Sequence, residues 1–75
     1  MKRKEFENGT VFKIKDAEGE YQFDGRVLKR KYDTEYFDYY SNIDEISGRY
    51  FIAPYKFLNW PIKAVILFKN CTIIK

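Results

Sequence analysis

The chain has no histidine and a single cysteine, Cys71, among its 75 residues. One cysteine excludes a disulfide within the chain, and without histidine or a second thiol a structural zinc site lacks its usual ligands. Histidine is also the usual base for a serine or cysteine nucleophile, and Ser41 and Ser47 stand in no catalytic motif. We therefore predict a protein with no metal, no cofactor and no enzymatic activity, in which Cys71 is a small buried hydrophobe.

Long apolar runs are also missing from the sequence. The longest, residues 64–68, is far shorter than the ~20 apolar residues that a membrane-spanning helix needs. The basic opening, residues 1–4, is followed by Glu5, Glu7 and Asn8, where a signal peptide would have its apolar region. We predict a cytoplasmic protein with no membrane partner.

The charge balance is mild, because 14 Lys and Arg against 11 Asp and Glu give a formal net charge of +3. This balance argues against an acidic DNA mimic and permits an acidic partner without requiring one. Two carboxylate clusters, one of Asp33, Glu35 and Asp38 and one of Asp44 and Glu45, contain pairs of the kind that acid–base catalysis uses. Exposed turns and strands supply such clusters routinely, so we interpret them as solvated surface charges.

Aromatic residues are abundant, with seven Tyr, seven Phe and one Trp. Each buried ring removes about 150–250 Å² from water, which helps so short a chain to reach a useful stability. A domain of this size cannot bury seven tyrosines. Their rings either cover the open ends of the fold while the hydroxyls stay wet or anchor an interface with another protein, and the sequence favours neither.

Apolar alternation and closely spaced turns predict an all-β fold. We expect residues 1–8 to form a flexible basic lead-in and residues 9–75 a single β-barrel domain. The predicted architecture is a small antiparallel, strongly bent SH3-like half-barrel of five to six strands, with one short helical turn near residues 43–47. Residues 56–61 are expected to form a loop, and residues 62–69, apolar on both faces, the most buried strand.

One hairpin organises the predicted sheet. In residues 20–31 the apolar positions change from odd to even numbers shortly after Gly25. A strand whose alternation changes phase needs a bulge or a sharp bend, so we predict one long strand that bends at Gly25. Its antiparallel partner is predicted over residues 36–40.

The predicted strand over residues 36–40 carries the candidate binding surface. Phe37 has no polar atom and is predicted to point into the core, which places Tyr39 on the same inward face. The outward side chains then lie beside the arginines of the bent strand and have the composition of a protein interface. The candidate partner-binding residues are Arg26, Arg30, Tyr36, Asp38 and Tyr40.

The same hairpin suggests an alternative function. Residues 26–40 combine four basic side chains with tyrosines, as in single-stranded nucleic-acid binders that use charge for phosphates and rings for stacking. Acidic residues of the same hairpin would pair with those bases across the strands, and a net charge of +3 is low for a dedicated binder. Nucleic acid is therefore the less favoured partner.

Four short stretches follow one another in a recognisable order: residues 9–14 (GTVFKI), Tyr21, residues 25–28 (GRVL) and residues 37–40 (FDYY). This order resembles the opening of the immunity protein 26 family of bacterial polymorphic toxin systems, although Lys15 stands where that family often has proline. The resemblance covers roughly residues 9–40 and implies an intracellular β-rich inhibitor. Such a protein binds and neutralises a toxin or, if a phage or mobile element encodes it, a defence effector. We expect a monomer or a small homo-oligomer.

Overall fold

The computed structural model describes residues 1–57 and 60–74, and the side chains of residues 1–54 and 63–74. Within that part of the chain, eight β-strands are joined by short connections, and single turns of 3₁₀-helix cover Arg3–Glu5 and Phe68–Asn70. The strands are β1 (Val11–Ile14), β2 (Glu20–Asp24), β3 (Val27–Lys31), β4 (Asp38–Asn42), β5 (Glu45–Ile46), β6 (Tyr50–Phe57), β7 (Trp60–Leu67) and β8 (Cys71–Ile73).

The strands form two antiparallel sheets. One sheet has five strands in the order β4-β3-β2-β1-β8, and the other has three in the order β5-β6-β7. The two sheets share one core and do not close into a barrel. The prediction of a small all-β antiparallel fold is confirmed. The described residues contain eight strands rather than five to six, because the predicted bent strand is two strands and the predicted helical turn is another.

A hairpin turn replaces the bend predicted at Gly25. Gly25 and Arg26 separate β2 from β3 and have φ angles of 53° and 66°. Two consecutive positive φ angles are typical of a type I′ turn, whose twist matches that of the paired strands. The turn explains the change of phase in the sequence, because it sets Phe23 opposite Leu28 and buries both side chains in the core.

Residues 1–8 belong to the packed fold, which corrects the prediction of a flexible lead-in. The side chain of Phe6 is 2% exposed, and its ring stacks on those of Phe23 and Phe51 with centroids 4.1 and 4.8 Å apart. Because Phe23 lies in β2 and Phe51 in β6, this ring joins the two sheets. The prediction failed because two isolated apolar residues, Met1 and Phe6, among charged ones give no periodic signal. The buried apolar side chains are Phe6, Phe12, Tyr21, Phe23, Leu28, Ile43, Phe51, Ala53, Phe68 and Cys71.

The short strand β5 occupies the place of the helical turn predicted near residues 43–47. The backbone N–H of Asp44 donates to the carbonyl of Ile52, and that of Ser47 to the carbonyl of Tyr50, both at 2.8 Å. Pairing with β6 therefore satisfies backbone groups that a helical turn would have paired locally. The prediction is wrong because tertiary pairing overrides a weak local preference over so few residues.

The strand β7 lies at an edge of the three-stranded sheet and is not the most buried strand, which corrects the prediction for residues 62–69. Val65, near the middle of β7, is 58% exposed. One face of an antiparallel sheet packs on the core and the other is solvated, so an apolar run in such a strand still places side chains in solvent. The strands β6 and β7 extend into the loop predicted over residues 56–61 from both sides. Residues 58 and 59 of that loop lie outside the described residues.

Candidate protein-binding surface

The guanidinium group of Arg30, in β3, lies among three tyrosine rings. Its central carbon is 4.8 Å from the ring centroid of Tyr32, 5.5 Å from that of Tyr40 and 5.9 Å from that of Tyr21. The Nε–H of Arg30 also donates to the backbone carbonyl of Glu18 at 3.2 Å. A cation over the face of an aromatic ring is attracted by the ring quadrupole. We call this arrangement the arginine cage, and it fixes a long side chain that would otherwise be mobile.

A β-bulge at Tyr40 decides which tyrosines face the core. In the pairing of β3 with β4, Leu28 lies opposite Ser41 and Lys29 opposite Tyr39, so Tyr40 is the extra residue of the bulge. The Tyr40 ring packs edge-to-face on the buried Tyr21, with centroids 5.7 Å apart and planes at 89°. A bulge changes the alternation of side chains along a strand, which strict period-two reasoning cannot anticipate.

The faces predicted for the β4 region are therefore partly wrong. Tyr39, predicted to be inward, is 64% exposed, and Tyr40, predicted to be outward, is half-buried against the core. Phe37 is half-buried rather than part of the core, and its ring centroid lies 5.4 Å from the Lys31 ammonium nitrogen. The outward position of Tyr36 is confirmed, since this side chain is 73% exposed.

Three tyrosines in and beside β4 are exposed. Tyr32 and Tyr36 lie in the connection between β3 and β4, and Tyr39 lies in β4. Among the described side chains, the large hydrophobic ones that are exposed are these three tyrosines and Val65. We call Tyr32, Tyr36 and Tyr39 the tyrosine surface. Sequence reasoning included Tyr32 and Tyr39 in the alternative nucleic-acid surface but not among the protein-binding residues, and no local signal separates them from the buried Tyr21.

The structure brings together some of the predicted site residues and separates another. Arg30 lies opposite Asp38 in the strand pairing and beside the Tyr40 ring, while Tyr36 lies in the preceding connection. Arg26 lies at the other end of β3, in the hairpin turn, where its guanidinium donates to the Asp44 carbonyl at 3.2 Å. The predicted five-residue patch is thus a group of four, with Arg26 apart from it.

The remaining charges of this hairpin are largely paired. The ammonium group of Lys29 lies 2.8 Å from the carboxylate of Asp24, and that of Lys31 lies 3.5 Å from the carboxylate of Glu20. At the end of β3, a hydrogen bond to Glu18 and the negative charge of that carboxylate raise the pKa of the Tyr32 phenol. The phenol therefore stays protonated at neutral pH, and its hydroxyl donates to the Glu18 carboxylate.

Two adjoining cavities open between the sheets beside β4. The larger, of about 450 Å³, is a polar groove lined by Arg30, Tyr39, Tyr40, Ser41, Asn42, Asp44 and Pro54. The smaller, of about 160 Å³, is an apolar socket lined by Ile14, Ala17, Tyr21, Leu28, Tyr40, Ala53, Pro54, Ala64 and Ile66. Tyr40 and Pro54 line both cavities. The hydroxyl of Ser41 is buried and has no hydrogen-bond partner within the described part of the chain.

A second groove, of about 530 Å³, lies near the first residues and differs in charge. Its lining includes Lys2, Arg3, Arg49 and Lys69, and we call it the basic groove. Within residues 1–57 and 60–74, no carboxylate forms an ion pair with any of these four side chains. Phe68, also in its lining, is buried, so the groove offers positive charge without an exposed aromatic ring.

The described residues contain no group of three or more His, Cys, Asp or Glu side chains able to hold a metal ion. They also contain no helix long and apolar enough to cross a membrane. Burial raises the pKa of the Cys71 thiol to about 11, so the thiol is protonated and a poor nucleophile at neutral pH.

Comparison of the chain with protein-family models, with curated proteins and with solved structures finds no significant match. The resemblance to the immunity protein 26 family thus stays a prediction.

Proposed function

We propose that this protein is a small, non-enzymatic cytoplasmic inhibitor that binds another protein through the tyrosine surface. The observation that carries the proposal is that Tyr32, Tyr36 and Tyr39, all within residues 32–39, are exposed. Amphipathic rings left in water are typical anchors of protein interfaces, because they bury a large area at low cost in conformational entropy. The class of target, a toxin or a defence effector, rests on the family resemblance of residues 9–40.

The arginine cage supports the proposal by holding this surface in place. Arg30 contacts the ring of Tyr32 at the start of the connection and that of Tyr40 just after Tyr39. Both ends of the exposed segment are therefore attached to one cation. A surface that is ordered before binding loses less entropy on association than a mobile one, so it binds more tightly for the same contacts.

The charge pairing favours a protein target over a nucleic acid at this hairpin. Lys29 and Lys31 are paired with carboxylates, and the guanidinium of Arg30 lies among tyrosine rings. Phosphate binding would have to replace these contacts, which lowers the net gain from each new ion pair. The exposed rings of Tyr36 and Tyr39 lie in none of these charge contacts and can enter a protein interface without replacing them.

Affinity purification from the cells that express the protein tests the proposal. The double variant Tyr36→Ala/Tyr39→Ala should bind the target about 30-fold more weakly, which is equivalent to ~2 kcal/mol of binding free energy. Its thermal midpoint should stay near that of the wild type. Val65→Ala is the matched control, because it truncates an equally exposed apolar side chain on the other sheet. The recovered target, once purified, should lose activity when the wild-type protein is added. Equal recovery with both variants, or a target whose activity is unaffected, would contradict the proposal.

The basic groove supports a second candidate function, the binding of single-stranded nucleic acid. Its four cations have no carboxylate partner among the described side chains and can therefore contact phosphates. Titration of labelled single-stranded DNA and RNA at low and moderate salt tests this function. Sub-micromolar binding that falls steeply with salt and is lost in Arg49→Glu, but kept in Lys29→Glu, would favour it over the protein target.

A further inference from the structure

The strand β4 has a free edge that faces the polar groove. Within the described residues it pairs with β3 on one side and lies at the end of the five-stranded sheet. Four consecutive residues of β4, residues 39–42, line the groove. Tyr39 is exposed and Ser41 is buried, so their side chains lie on opposite faces, and a cavity that touches both runs along the edge of the strand. The backbone groups of this edge are therefore adjacent to an open space.

The opposite wall of the groove cannot close this edge by strand pairing. Pro54 of β6 lies there and has no backbone N–H to donate. The strand β5, which connects β4 to the second sheet, ends at Ile46 after only two residues. Its pairing with β6 reaches Ile52 and not Pro54. Because Pro54 has no N–H to donate and β5 is only two residues long, the gap between β4 and β6 stays open.

The socket beside Tyr40 has the size and chemistry of a pocket for one aliphatic side chain. Its volume is about 160 Å³, and apolar groups line it throughout. An apolar cavity of ~150 Å³ stays dry and accepts a small hydrocarbon, because water finds no hydrogen-bond partners in it. Three of the lining residues are alanines, Ala17, Ala53 and Ala64, which leave this space unfilled between the sheets.

Two polar features of the groove also point to a bound segment. The Ser41 hydroxyl is buried in the lining without a hydrogen-bond partner among the described residues, and such groups cost about 1–3 kcal/mol when they stay unpaired. The charged groups of the lining are already engaged, Arg30 in the arginine cage and Asp44 with Lys63 at 3.5 Å. The groove therefore favours a ligand with polar backbone and no net charge.

We propose that the free edge of β4 binds an extended segment of the target protein as an added strand, with one aliphatic side chain of that segment in the socket. This inference rests on the proposed function and specifies how the target is held. Main-chain hydrogen bonds along β4 supply affinity for any extended segment, and the socket provides specificity for the side chain. The tyrosine surface, which continues from Tyr39, then covers the rest of the target.

A library of random extended peptides displayed on phage is the probe. The wild-type protein should select peptides that share one aliphatic position among uncharged neighbours. Ala64→Ile places three more carbon atoms in the socket and should weaken these peptides about tenfold or more. Val65→Ile is the matched control, because it changes the neighbouring residue, which is exposed rather than in the lining of the socket, and should leave binding unchanged.

Hydrogen exchange in the wild-type protein gives a readout that does not depend on the folding of a variant. Bound peptide should slow the exchange of backbone amides in residues 38–42 more than in β8, the opposite edge of the same sheet. Selection of no common peptide, equal binding by Ala64→Ile, or protection confined to another strand would overturn the inference. A concentration-dependent dimer that Ala64→Ile abolishes would also overturn it, in favour of a second copy of the chain in the groove.

The peptide experiment separates this inference from the proposed function. If Tyr36→Ala/Tyr39→Ala loses the natural target while Ala64→Ile keeps it, the strand-addition mode fails and the inhibitor function stands. If peptides bind along β4 but no natural target responds to the tyrosine variant, the proposed function fails and the groove remains a peptide site.

Discussion

The tyrosine surface and the basic groove are both rich in cations, but the fold treats these cations differently. Around the tyrosine surface, Lys29, Arg30 and Lys31 are adjacent in sequence and each is engaged by a carboxylate or by aromatic rings. In the basic groove, Arg3 and Arg49 are far apart in sequence, come together in space and have no carboxylate partner in the described part of the chain. A run of basic residues is thus a poor guide to free positive charge, because neighbouring strands supply its counter-charges.

The two regions also depend on different parts of the core. The basic groove rests on the N-terminal segment, which Phe6 attaches to both sheets. The tyrosine surface rests on the hairpins of the five-stranded sheet, which tight turns at Gly19 and Gly25 define. A substitution that destabilises one region should therefore leave the structure of the other region unchanged.

Truncation of Phe6 should give the largest loss of stability. Phe6→Ala removes a ring that contacts four other aromatic side chains and leaves a cavity between the sheets, so we expect a loss of about 3–5 kcal/mol in the free energy of unfolding. Denaturant melts measure this loss. The exposed Lys4→Ala is the control and should change stability by less than about 0.5 kcal/mol. Similar midpoints for the two variants would mean that the N-terminal segment does not join the sheets.

Gly19→Ala should be the next most destabilising change and should act beside the tyrosine surface. An added Cβ would lie 2.8 Å from the Lys31 carbonyl oxygen and 3.4 Å from the Tyr32 Cβ, at a φ angle of +87° that favours glycine. We expect a loss of about 1–3 kcal/mol. Gly48→Ala, at a position with open space and no positive φ, is the matched control and should be nearly neutral. Equal melting of both variants would contradict the tight approach of this turn to β3.

Raising the pH should reduce stability through Cys71, which lies beneath the basic end of the molecule. Burial raises the pKa of this thiol from 9.0 to about 11, although the positive N-terminal amine acts to lower it. The folded state therefore keeps a proton that the unfolded chain loses near pH 9. Stability is retained below pH 9 and should fall by on the order of 1–3 kcal/mol as the pH rises toward 11.

Cys71→Ala isolates the contribution of the thiol from that of the rest of the protein. The variant should show a shallower decline in the free energy of unfolding between pH 9 and pH 11, measured by denaturant melts. If the stabilities of wild type and variant decline in parallel, the thiol ionises over the same pH range in the folded and the unfolded protein. The thiol is then less buried than the structure indicates.

Removal of the arginine cage should have the smallest effect on stability and a clear effect on order. Arg30→Ala removes a cation from three tyrosine rings, for which we expect a loss of about 1 kcal/mol. Amide exchange in residues 32–37 should become faster, because the connection loses its attachment. Arg26→Ala removes an exposed contact in the hairpin turn and should leave both quantities nearly unchanged. Identical exchange in the two variants would show that the cage does not order the connection.

The sequence by itself determined the fold class, because strand alternation and turn preference depend only on residues that are close in sequence. The turn between β1 and β2 has Asp16 and Gly19 at positive φ angles, and both residue types are common in turns. The change of phase near Gly25 marked a real feature, although the chain reverses there and does not bend as predicted.

Tertiary structure decided which residues are free to bind. Phe6 enters the core because two sheets leave a space that only a distant ring fills, and no periodicity reports such a contact. A single extra residue at Tyr40 exchanges the inward and outward tyrosines, since strand pairing rather than sequence sets the register of β4. Lys29 and Lys31 of β3 are paired, and the cations of the basic groove have no carboxylate partner among the described side chains, for the same reason: whether a charge is paired depends on what the fold places across from it.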